Sequence, residues 1–484
     1  MMKPEMEPTE ALNEHDRVEV AIVGAGTAGL AALREVQKQT DDFVLINAGP
    51  YGTTCARVGC MPSKALIAAA NAFHARTKLD EFGIRGGEGL AADIPAVLNR
   101  VRALRDQFVS GVLKATEDLG RRNIAGHARL DGPNRLIVGD RVIQAEQIVL
   151  APGSSPIVPE PWQVFGNRIL TSDTLFEQAD LPPRIGVVGL GAIGIEIAQA
   201  LARLGLDVHG FDAREMIAGI SDEKVAQAAQ DLLAEEFAIH LGVRVELAEA
   251  DGAIAIRWSG GSVVVDKVVA AVGRQPNIAG LGLDTLGVPL DRKGMPEVDP
   301  ATMRIADTPV LLAGDANGDK PLLHEGADEG HIAGINATHT SPIHLARRVP
   351  LSIVFCDPEV VAVGQRASEL EREGVLVGEV SFAAQGRART MQENRGLLRL
   401  WAARRDGRLL GAEMAAPAAE HIGHLLALAI SEDLTVHDLL RMPFYHPTLE
   451  EGLRTALRAI ARELPPCGLS DLAQCGPLGA DALD

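Results

Sequence analysis

Apolar runs and helical patterns alternate along the first half of the chain, and the same order of elements occurs twice. Residues 18–23 form an apolar run that predicts a buried strand, residues 30–37 have helical spacing, and residues 43–46 form a second apolar run. The succession returns at 185–188, followed by a helical stretch and a strand at 207–211. Each succession predicts a βαβ unit, so the pattern indicates an α/β fold with an internal repeat.

Each predicted unit has a glycine-rich turn between its first strand and its helix. The glycines are Gly24, Gly26 and Gly29 in the first copy and Gly189, Gly191 and Gly194 in the second. The first glycine allows a tight turn, the second lets backbone approach a pyrophosphate, and the third lets the helix pack on the strand. The helix N-terminus then faces the phosphates. Two copies in this context predict two dinucleotide sites, and turns without a ligand are the weaker alternative.

The end of each second strand is informative, because an acid at this position accepts the ribose hydroxyls of a dinucleotide. The residue is Asn47 in the first copy and Asp212 in the second, each 23 residues beyond the first glycine. Asp212 would repel a 2′-phosphate and therefore predicts NAD(H). Arg214 would favour NADP(H) if its side chain reached that phosphate. Asn47 can hydrogen-bond a ribose without charge assistance.

The pattern changes in the second half of the chain. Residues 310–316 read as a strand that ends in a carboxylate, as expected where a βαβ sheet resumes after an inserted domain. From about Pro350 onward, strands such as 397–401 are mixed with helices such as 420–431. The predicted fold class is α/β, with two Rossmann-like (βαβ) nucleotide-binding domains plus a C-terminal α+β domain.

Composition and charge narrow the possible partners. The chain has 484 residues, 46% of them hydrophobic, which is enough for roughly three or four domains. No apolar run approaches the roughly 20 residues of a membrane span, and residues 1–17 are acidic and lack the apolar core of a signal peptide. The net charge of −19 argues against nucleic acid and anionic membranes. The chain has five cysteines, a small and odd number that is typical of proteins in compartments where thiols stay reduced, so we expect a cytoplasmic protein.

Cys55 and Cys60 are separated by four residues, shortly after the first glycine turn. On an ideal helix such positions rise about 7.5 Å and point about 140° apart, farther than the roughly 7 Å that a disulfide tolerates. A bridge needs a distorted first turn, which Gly59 and Pro62 could permit, and a constrained bridge is easier to reduce. One thiol would exchange with a substrate and the other would face an electron acceptor. A stabilising disulfide or two unrelated buried thiols is the alternative.

With these motifs in view, the chain resembles the class I pyridine nucleotide-disulfide oxidoreductases, and within them it is most similar to the dihydrolipoamide dehydrogenases. The resemblance covers about residues 18–462. Its specific motifs lie at 52–64, 151–154, 273–277, 313–315 and 446–451.

The resemblance implies that the first glycine unit binds FAD, with Asp315 at the ribityl chain, and that the second unit binds NAD. Lys64 and Glu196 would form an ion pair near the flavin and the nicotinamide. The positions expected to contact the cofactors are Gly24, Gly26, Gly29, Asn47, Gly52, Thr54, Lys64, Gly126, Gly153, Ser154, Asp315, Leu323, His324, Gly189, Gly191, Gly194, Glu196, Asp212 and Gly273. Asn47 replaces the usual acid of the family, and Thr53 replaces a glycine before the first cysteine.

The resemblance also implies a domain order and a homodimer formed by the last domain. The expected domains are a flexible N-terminal tail (1–16), an FAD-binding domain (17–156), an NAD-binding domain (157–276), a central domain that completes the FAD site (277–347), an interface or dimerisation domain (348–463) and a flexible tail (464–484).

His446 is the expected base, because Glu451 follows at the interval that the family uses for a His-Glu pair. The carboxylate would fix the imidazole tautomer and raise its basicity. This spacing favours Glu451 over its neighbour Glu450. By the family precedent, His446 acts in the site of the partner subunit.

The expected activity is oxidation of a dihydrolipoyl group, free or on a carrier protein, with NAD⁺ through Cys55, Cys60 and FAD. A mercuric reductase is the main alternative, because Cys467 and Cys475 could form a C-terminal thiol pair, although such pairs are adjacent in that family. Asp212 disfavours a glutathione reductase. A flavin-linked redox sensor is the alternative that is not an enzyme, and a sensor would need no substrate base. No metal site is expected, since His421 and His424 on one amphipathic helix fit a solvated or interface face better.

Overall fold

A computed structural model describes residues 15–468, 470–477 and 479. The described chain divides into two compact units. The first contains the described residues up to Met61, Ala103–Ser155 and Arg274–Arg347, and the second contains Pro62–Arg102, Pro156–Gly273 and the described residues from Arg348 onward. No helix within the described residues is long and apolar enough to cross a membrane.

The first unit is built on a seven-stranded sheet. The strand order is Asn123–Ala125, Phe43–Asn47, His15–Val23, Arg141–Leu150, Arg135–Val138 and Ala128–Leu130, and Val310–Leu312 also pairs with Arg141–Leu150. The first four strands and Val310–Leu312 run parallel. Val20 and Ile22 pack into one core cluster, and Ala21 and Val23 pack into another. This strand reads as a continuous apolar run because both faces of the sheet are covered.

The second unit contains three sheets. A parallel sheet has the order Ala238–His240, Asp207–Phe211, Arg184–Val188, Lys267–Ala270 and Ile169–Leu170. An antiparallel sheet has the order Leu351–Val354, Glu359–Gly364, Leu409–Ala416, Leu397–Ala403 and Val375–Ser381. A smaller antiparallel sheet joins Glu246–Ala250, Ala253–Trp258 and Gly261–Val265. Outside these three sheets, the strand Ser154–Pro156 pairs with Arg274–Pro276, and all of these residues except Pro156 belong to the first unit.

Helices cover these sheets. Their bounds are Thr27–Val36, Thr54–Val58, Cys60–His74, Ile94–Glu117, Ser172–Leu175, Ala192–Arg203, Glu223–Leu233, Leu323–Ala337, Gly386–Thr390, Ala419–Ser431, Val436–Leu440 and Glu451–Ala461. Ile422 and Leu457, on two of the last helices, are fully buried in the core of the antiparallel sheet. The fold class predicted from the sequence is confirmed: parallel sheets carry both glycine turns, and an α+β region built on the antiparallel sheet follows.

The described part of the predicted C-terminal tail packs against other residues of the second unit. Leu464 is buried in the core of the antiparallel sheet. Asp471 forms an ion pair with Arg441 at 2.6 Å, and Arg458 donates to the carbonyl oxygen of Gly476 at 3.0 Å. The predicted N-terminal tail lies outside the described residues except for positions 15 and 16, which begin a strand. The domain bounds remain predictions.

Candidate active site

Both glycine turns have the same geometry. A Cβ on Gly29 would lie 1.8 Å from the carbonyl oxygen of Gly24, and a Cβ on Gly194 would lie 1.8 Å from that of Gly189. Only glycine allows each helix to begin this close to the preceding strand.

The middle glycine of each turn borders open space. A Cβ on Gly26 would meet no atom within 4 Å, and one on Gly191 would meet only the guanidinium of Arg214, at 3.5 Å. Helices Thr27–Val36 and Ala192–Arg203 begin directly after these glycines without a side-chain cap. Their first N–H groups can therefore serve an approaching phosphate, so the turns fit the pyrophosphate of a dinucleotide.

The side chains of Asn47 and Asp212 each accept a hydrogen bond from the glycine turn of their own copy, at equivalent positions. Oδ1 of Asn47 accepts the N–H of Ala25 at 3.1 Å, and Oδ2 of Asp212 accepts the N–H of Leu190 at 2.7 Å. Asn47 also donates from Nδ2 to the carbonyl oxygen of Gly49 at 2.7 Å. The asparagine therefore keeps the bond that closes the turn while it removes the negative charge.

Arg214 binds the carboxylate of Asp212. Its guanidinium Nη2 lies 2.9 Å from Oδ2, and its backbone N–H donates to Oδ1 at 2.8 Å. Burial raises the pKa of Asp212, but the hydrogen bonds from Arg214 and Leu190 outweigh it and hold this pKa below its ordinary value. Asp212, which would favour NAD(H), and Arg214, which would favour NADP(H), are thus joined in an ion pair.

Asp315 is held by a hydroxyl and a nearby cation in the first unit. Oγ of Ser154 donates to Oδ2 of Asp315 at 2.6 Å, and Nε of Arg274 donates to the same hydroxyl at 2.8 Å. Nε of Arg274 also lies 3.9 Å from the carboxylate. The structure thereby brings together Ser154 and Asp315, two of the predicted cofactor residues.

Glu329 supports the turn around Asp315, and the sequence analysis missed it. Its buried carboxylate accepts the N–H of Gly314 and the side-chain N–H of Asn317, both at 2.7 Å, and pairs with Arg347 at 2.9 Å. Burial raises the pKa of Glu329 above its ordinary value, and these bonds offset the rise only in part. The available signal was an acid on the apolar face of a helix, which must be paired if it is buried.

Cys55 and Cys60 lie on opposite sides of a break between two helices. Cys55 belongs to the short helix Thr54–Val58, Cys60 opens the helix Cys60–His74, and Gly59 between them has φ −117° and ψ −115°. A Cβ on Gly59 would approach Cys55 Cα to 3.2 Å, so the chain folds back closely here. Cys55 is half-buried and Cys60 is exposed. The backbone is therefore distorted at Gly59, between the two cysteines, where a bridge would need a distortion.

Thr53, at the position where the family has a glycine, adopts a backbone conformation that favours glycine. Its φ is 59° and its ψ is 150°. Its side-chain oxygen accepts the N–H of Ala56 at 3.2 Å and so caps the helix that carries Cys55. The residue therefore combines backbone strain with a stabilising cap.

Lys64 and Glu196 form a two-point ion pair within the second unit. Nζ of Lys64 lies 2.9 and 2.8 Å from the two carboxylate oxygens of Glu196. Phe355, which the sequence analysis did not single out, contacts both partners: its N–H donates to Glu196 at 3.0 Å, and its ring centre lies 4.4 Å from the Lys64 ammonium.

His446 and Glu451 form a pair at the start of the helix Glu451–Ala461. Nδ1 of His446 lies 3.1 Å from Oε2 of Glu451, which also accepts the N–H of Thr448 at 3.1 Å. Arg454 donates to the other oxygen at 2.9 Å. The buried carboxylate only accepts hydrogen bonds, so it holds the proton on Nδ1 and leaves Nε2 able to accept one.

Several other predicted cofactor residues stand at loop and helix ends. Gly126 donates its N–H to the carbonyl oxygen of Asn47 at 3.0 Å, next to the first glycine turn. Gly153 accepts the N–H of Asn277 at 2.9 Å, and Gly273 accepts that of Ile157 at 3.0 Å. The remaining positions are Gly52, before the cysteine segment; Thr54, at the start of its helix; and Leu323 and His324, at the start of the helix Leu323–Ala337.

Comparison with known proteins decides the family. The sequence profile described as pyridine nucleotide-disulphide oxidoreductase matches residues 18–333, and that of the dimerisation domain of the same family matches residues 350–457. The chain belongs to this family.

Individual relatives differ in activity. The chain is 30% identical over 466 residues to the mitochondrial dihydrolipoyl dehydrogenase of Dictyostelium discoideum, covering 91% of this chain and 94% of the relative. It is 29% identical over 473 residues to the mercuric reductase of Shigella flexneri, covering 92% of this chain and 81% of the relative. The structure of RclA, an HOCl-induced flavoprotein disulfide reductase from Escherichia coli, superposes with a TM-score of 0.80 at 22% identity, covering 92% of this chain and 100% of that one.

Membership in the family makes this chain a flavoprotein disulfide oxidoreductase, an enzyme that uses FAD and a pyridine nucleotide. Its residues fit both cofactors, because each glycine turn is open at its middle glycine and each following helix has uncapped N–H groups. Within the described residues, no three His, Cys, Asp or Glu side chains are grouped as metal ligands.

Proposed function

We propose that this enzyme oxidises a dihydrolipoyl dithiol to the lipoyl disulfide and passes the electrons to NAD⁺. The observation that carries the proposal is the His446–Glu451 pair, in which Nδ1 lies 3.1 Å from a buried carboxylate. A base with a fixed tautomer suits a substrate whose thiol must lose a proton before it can attack sulfur. A redox sensor without turnover has no use for such a pair.

The proton moves first. Nε2 of His446 takes the proton of one substrate thiol, and the imidazolium that forms is stabilised by Glu451. His446 is about half exposed, with 47% of its side chain accessible, whereas the Glu451 side chain is 5% accessible. The base can therefore reach a substrate while its partner stays fixed.

Sulfur exchange follows at the cysteine pair. The substrate thiolate attacks Sγ of Cys55, the Cys55–Cys60 bond breaks, and Cys60 leaves as a thiolate. The sulfur of the second substrate thiol then attacks the substrate sulfur of the mixed disulfide, and its proton goes to Cys55 as the bond to Cys55 breaks. The substrate leaves as a disulfide, Cys55 becomes a thiol and Cys60 remains a thiolate. Bound FAD would accept this electron pair and deliver it to the nicotinamide. Gly24, Gly26, Gly29, Ser154 and Asp315 would hold the FAD, and Gly189, Gly191, Gly194 and Asp212 would hold the coenzyme.

The coenzyme and the assembly are part of the same proposal. Asp212 supports NAD(H), and its ion pair with Arg214 is the competing feature. The dimerisation domain supports a homodimer, in which His446 of one subunit would serve Cys55 of the other. The cytoplasmic location rests on the sequence alone.

A mercuric reductase is the second candidate, because the mercuric reductase relative matches almost as well as the dihydrolipoyl dehydrogenase, at 29% against 30% identity. Cys475 is exposed and Cys467 is half-buried.

Steady-state kinetics with dihydrolipoamide, oxidised glutathione and Hg²⁺, each with NAD(H) and NADP(H), test the proposal. We expect the highest kcat/KM for dihydrolipoamide with NAD⁺. A higher value for Hg²⁺, lost in Cys467→Ser and Cys475→Ser, would replace it with the metal-reducing activity.

A further inference from the structure

One face of the helix Ala192–Arg203 binds a short turn, residues 355–358, that follows the strand Leu351–Val354. Glu196, Gln199 and Arg203 have the spacing i, i+3 and i+7, which places them on the same side of a helix. All three are buried. Such a row of buried polar groups requires matched partners, and the turn supplies at least one partner for each of the three.

The turn is fixed to this helix by its backbone and by a carboxylate. The N–H of Asp357 donates to Oε1 of Gln199 at 2.8 Å, and Nε2 of Gln199 donates to the carbonyl oxygen of Asp357 at 2.7 Å. Arg203 adds an ion pair with Asp357 at 3.0 Å and is itself paired with Glu236 at 2.6 Å. These bonds leave the turn little freedom to shift along the helix.

Phe355 is the residue of this turn that touches the Lys64–Glu196 pair. Its N–H occupies one oxygen of Glu196 at 3.0 Å, and its ring lies 4.4 Å from the ammonium of Lys64. An aromatic face attracts a cation, and the attraction strengthens when the cation is shielded from water. The side chain of Lys64 is 33% accessible and that of Glu196 is 7% accessible, so the carboxylate is shielded from water and the ammonium is partly shielded.

We propose that Phe355 is a positioning residue that fixes the Lys64 ammonium and, through it, sets the rate of hydride transfer between coenzyme and flavin. The proposal rests on the proposed function and on the place near the flavin and the nicotinamide that the family resemblance implies for Lys64 and Glu196. No bond to substrate or cofactor is assigned to Phe355 itself. Its ring and its N–H act on the two charges from the region that carries the dimerisation domain.

The test is the first-order rate of flavin reduction in the FAD-loaded enzyme, mixed with saturating NADH or NADPH in a stopped-flow instrument. This half-reaction requires no dithiol, so its outcome is independent of whether dihydrolipoamide is the substrate. Phe355→Leu should slow it about tenfold, while the coenzyme dissociation constant, the FAD content and the thermal midpoint remain close to those of the unmodified enzyme. Phe355→Tyr, which keeps the ring, should restore the rate to within about twofold.

Two controls separate positioning from packing. Phe73→Leu makes the same change in another cation–aromatic pair, where the ring lies 3.6 Å from Arg76 on the helix Cys60–His74, and should leave the rate unchanged. In a Lys64→Met background, Phe355→Leu should have almost no further effect, because its partner is gone. An equal slowing in both backgrounds, or an unchanged rate in Phe355→Leu, overturns the proposal. If Phe355→Leu fails to retain FAD, Phe355→Met, which also lacks the ring but fills the space flexibly, takes its place in the same test.

Discussion

The guanidinium of Arg214 lies 2.9 Å from the carboxylate of Asp212, directly after the strand Asp207–Phe211. The acid that would bind a ribose and the cation that would bind a 2′-phosphate therefore compensate each other in the same site. Asp212 also accepts the N–H of Leu190, so it anchors the glycine turn as well.

Coenzyme preference should follow the charge of Asp212. We expect kcat/KM to favour NAD(H) in the unmodified enzyme and the preference to narrow at least tenfold in Asp212→Asn. Asparagine keeps an acceptor for Leu190, as Asn47 does in the first turn, while it releases Arg214 to bind a phosphate. Arg214→Ala should keep the NAD(H) preference. A clear NADP(H) preference before any substitution would mean that Arg214 dominates.

The cysteine pair should report its state through the flavin. Two-electron reduction should produce a long-wavelength absorption band from a Cys60 thiolate next to the oxidised flavin, and Cys60→Ser should abolish it. Cys55→Ser should lose turnover because the substrate thiolate has no sulfur to attack. Turnover at the unmodified rate in both variants would rule out a redox role for the pair.

The pair of His446 and Glu451 should act across a homodimer. His446→Ala and Cys55→Ser chains are each expected to be inactive with dihydrolipoamide. If their subunits are exchanged, half of the dimers are mixed and each mixed dimer has one intact site, so about a quarter of the activity should return. If subunit exchange is demonstrated and no activity returns, the site lies within one chain.

Glu451→Gln tests the same pair from the side of the carboxylate. We expect kcat for dihydrolipoamide oxidation to fall about a hundredfold, because the amide no longer stabilises the imidazolium. Reduction of the enzyme by NADH should be unaffected, since that half-reaction needs no substrate base. Glu450→Gln is the matched control and should leave both rates close to their original values.

Thr53 should reveal the backbone strain before Cys55. Thr53→Ala removes the cap but keeps the positive φ, and should lower the free energy of unfolding by about 1 kcal/mol. Thr53→Gly relieves the strain and loses only about a few tenths of a kcal/mol of capping energy, so it should raise the free energy of unfolding by about 1 kcal/mol. Thr53→Ser, with both features kept, should remain close to the original value. Denaturant unfolding of the three variants measures the differences; equal stability of the Ala and Gly variants would show that the strain is absent.

The C-terminal segment after Leu464 should be dispensable for turnover. Truncation at this point keeps the buried Leu464 side chain and should leave dihydrolipoamide oxidation within about twofold of that of the full chain. If Cys467 and Cys475 relayed electrons as a thiol pair, the truncation would instead cause a large loss of activity toward a disulfide or metal substrate.

The attachment of this segment should be insensitive to pH near neutrality. The bond from Arg441, with that from the Ala473 N–H, lowers the pKa of Asp471 from 3.8 to about 2. A carboxyl whose pKa is lower in the folded state stabilises that state fully above pH 3.8, and this stabilisation disappears as the pH falls through about 2. Hydrogen exchange of residues 471–475 should therefore show similar protection at about pH 5 and pH 8, and Asp471→Asn should reduce it at both.

The sequence by itself determined the elements whose cause is local. Strand and helix periodicity predicted the two βαβ units. The glycine spacing marked the two turns in which a Cβ added to the third glycine would lie only 1.8 Å from the carbonyl oxygen of the first. A bridge between Cys55 and Cys60 would require a distorted turn, and the structure has a break between their two helices at Gly59. Such features depend on sterics within a few residues, and a single sequence records them.

Only the tertiary structure decided how distant side chains combine. Phe355 reaches Glu196 across 159 positions, and no periodicity in either segment indicates that contact. For Glu329, the sequence signalled only that a buried acid needs partners, and the structure shows that these are the N–H of Gly314 and the side chains of Asn317 and Arg347. These pairings arise because buried charges must find partners wherever the packing of sheets and helices leaves them, and that packing depends on the whole chain.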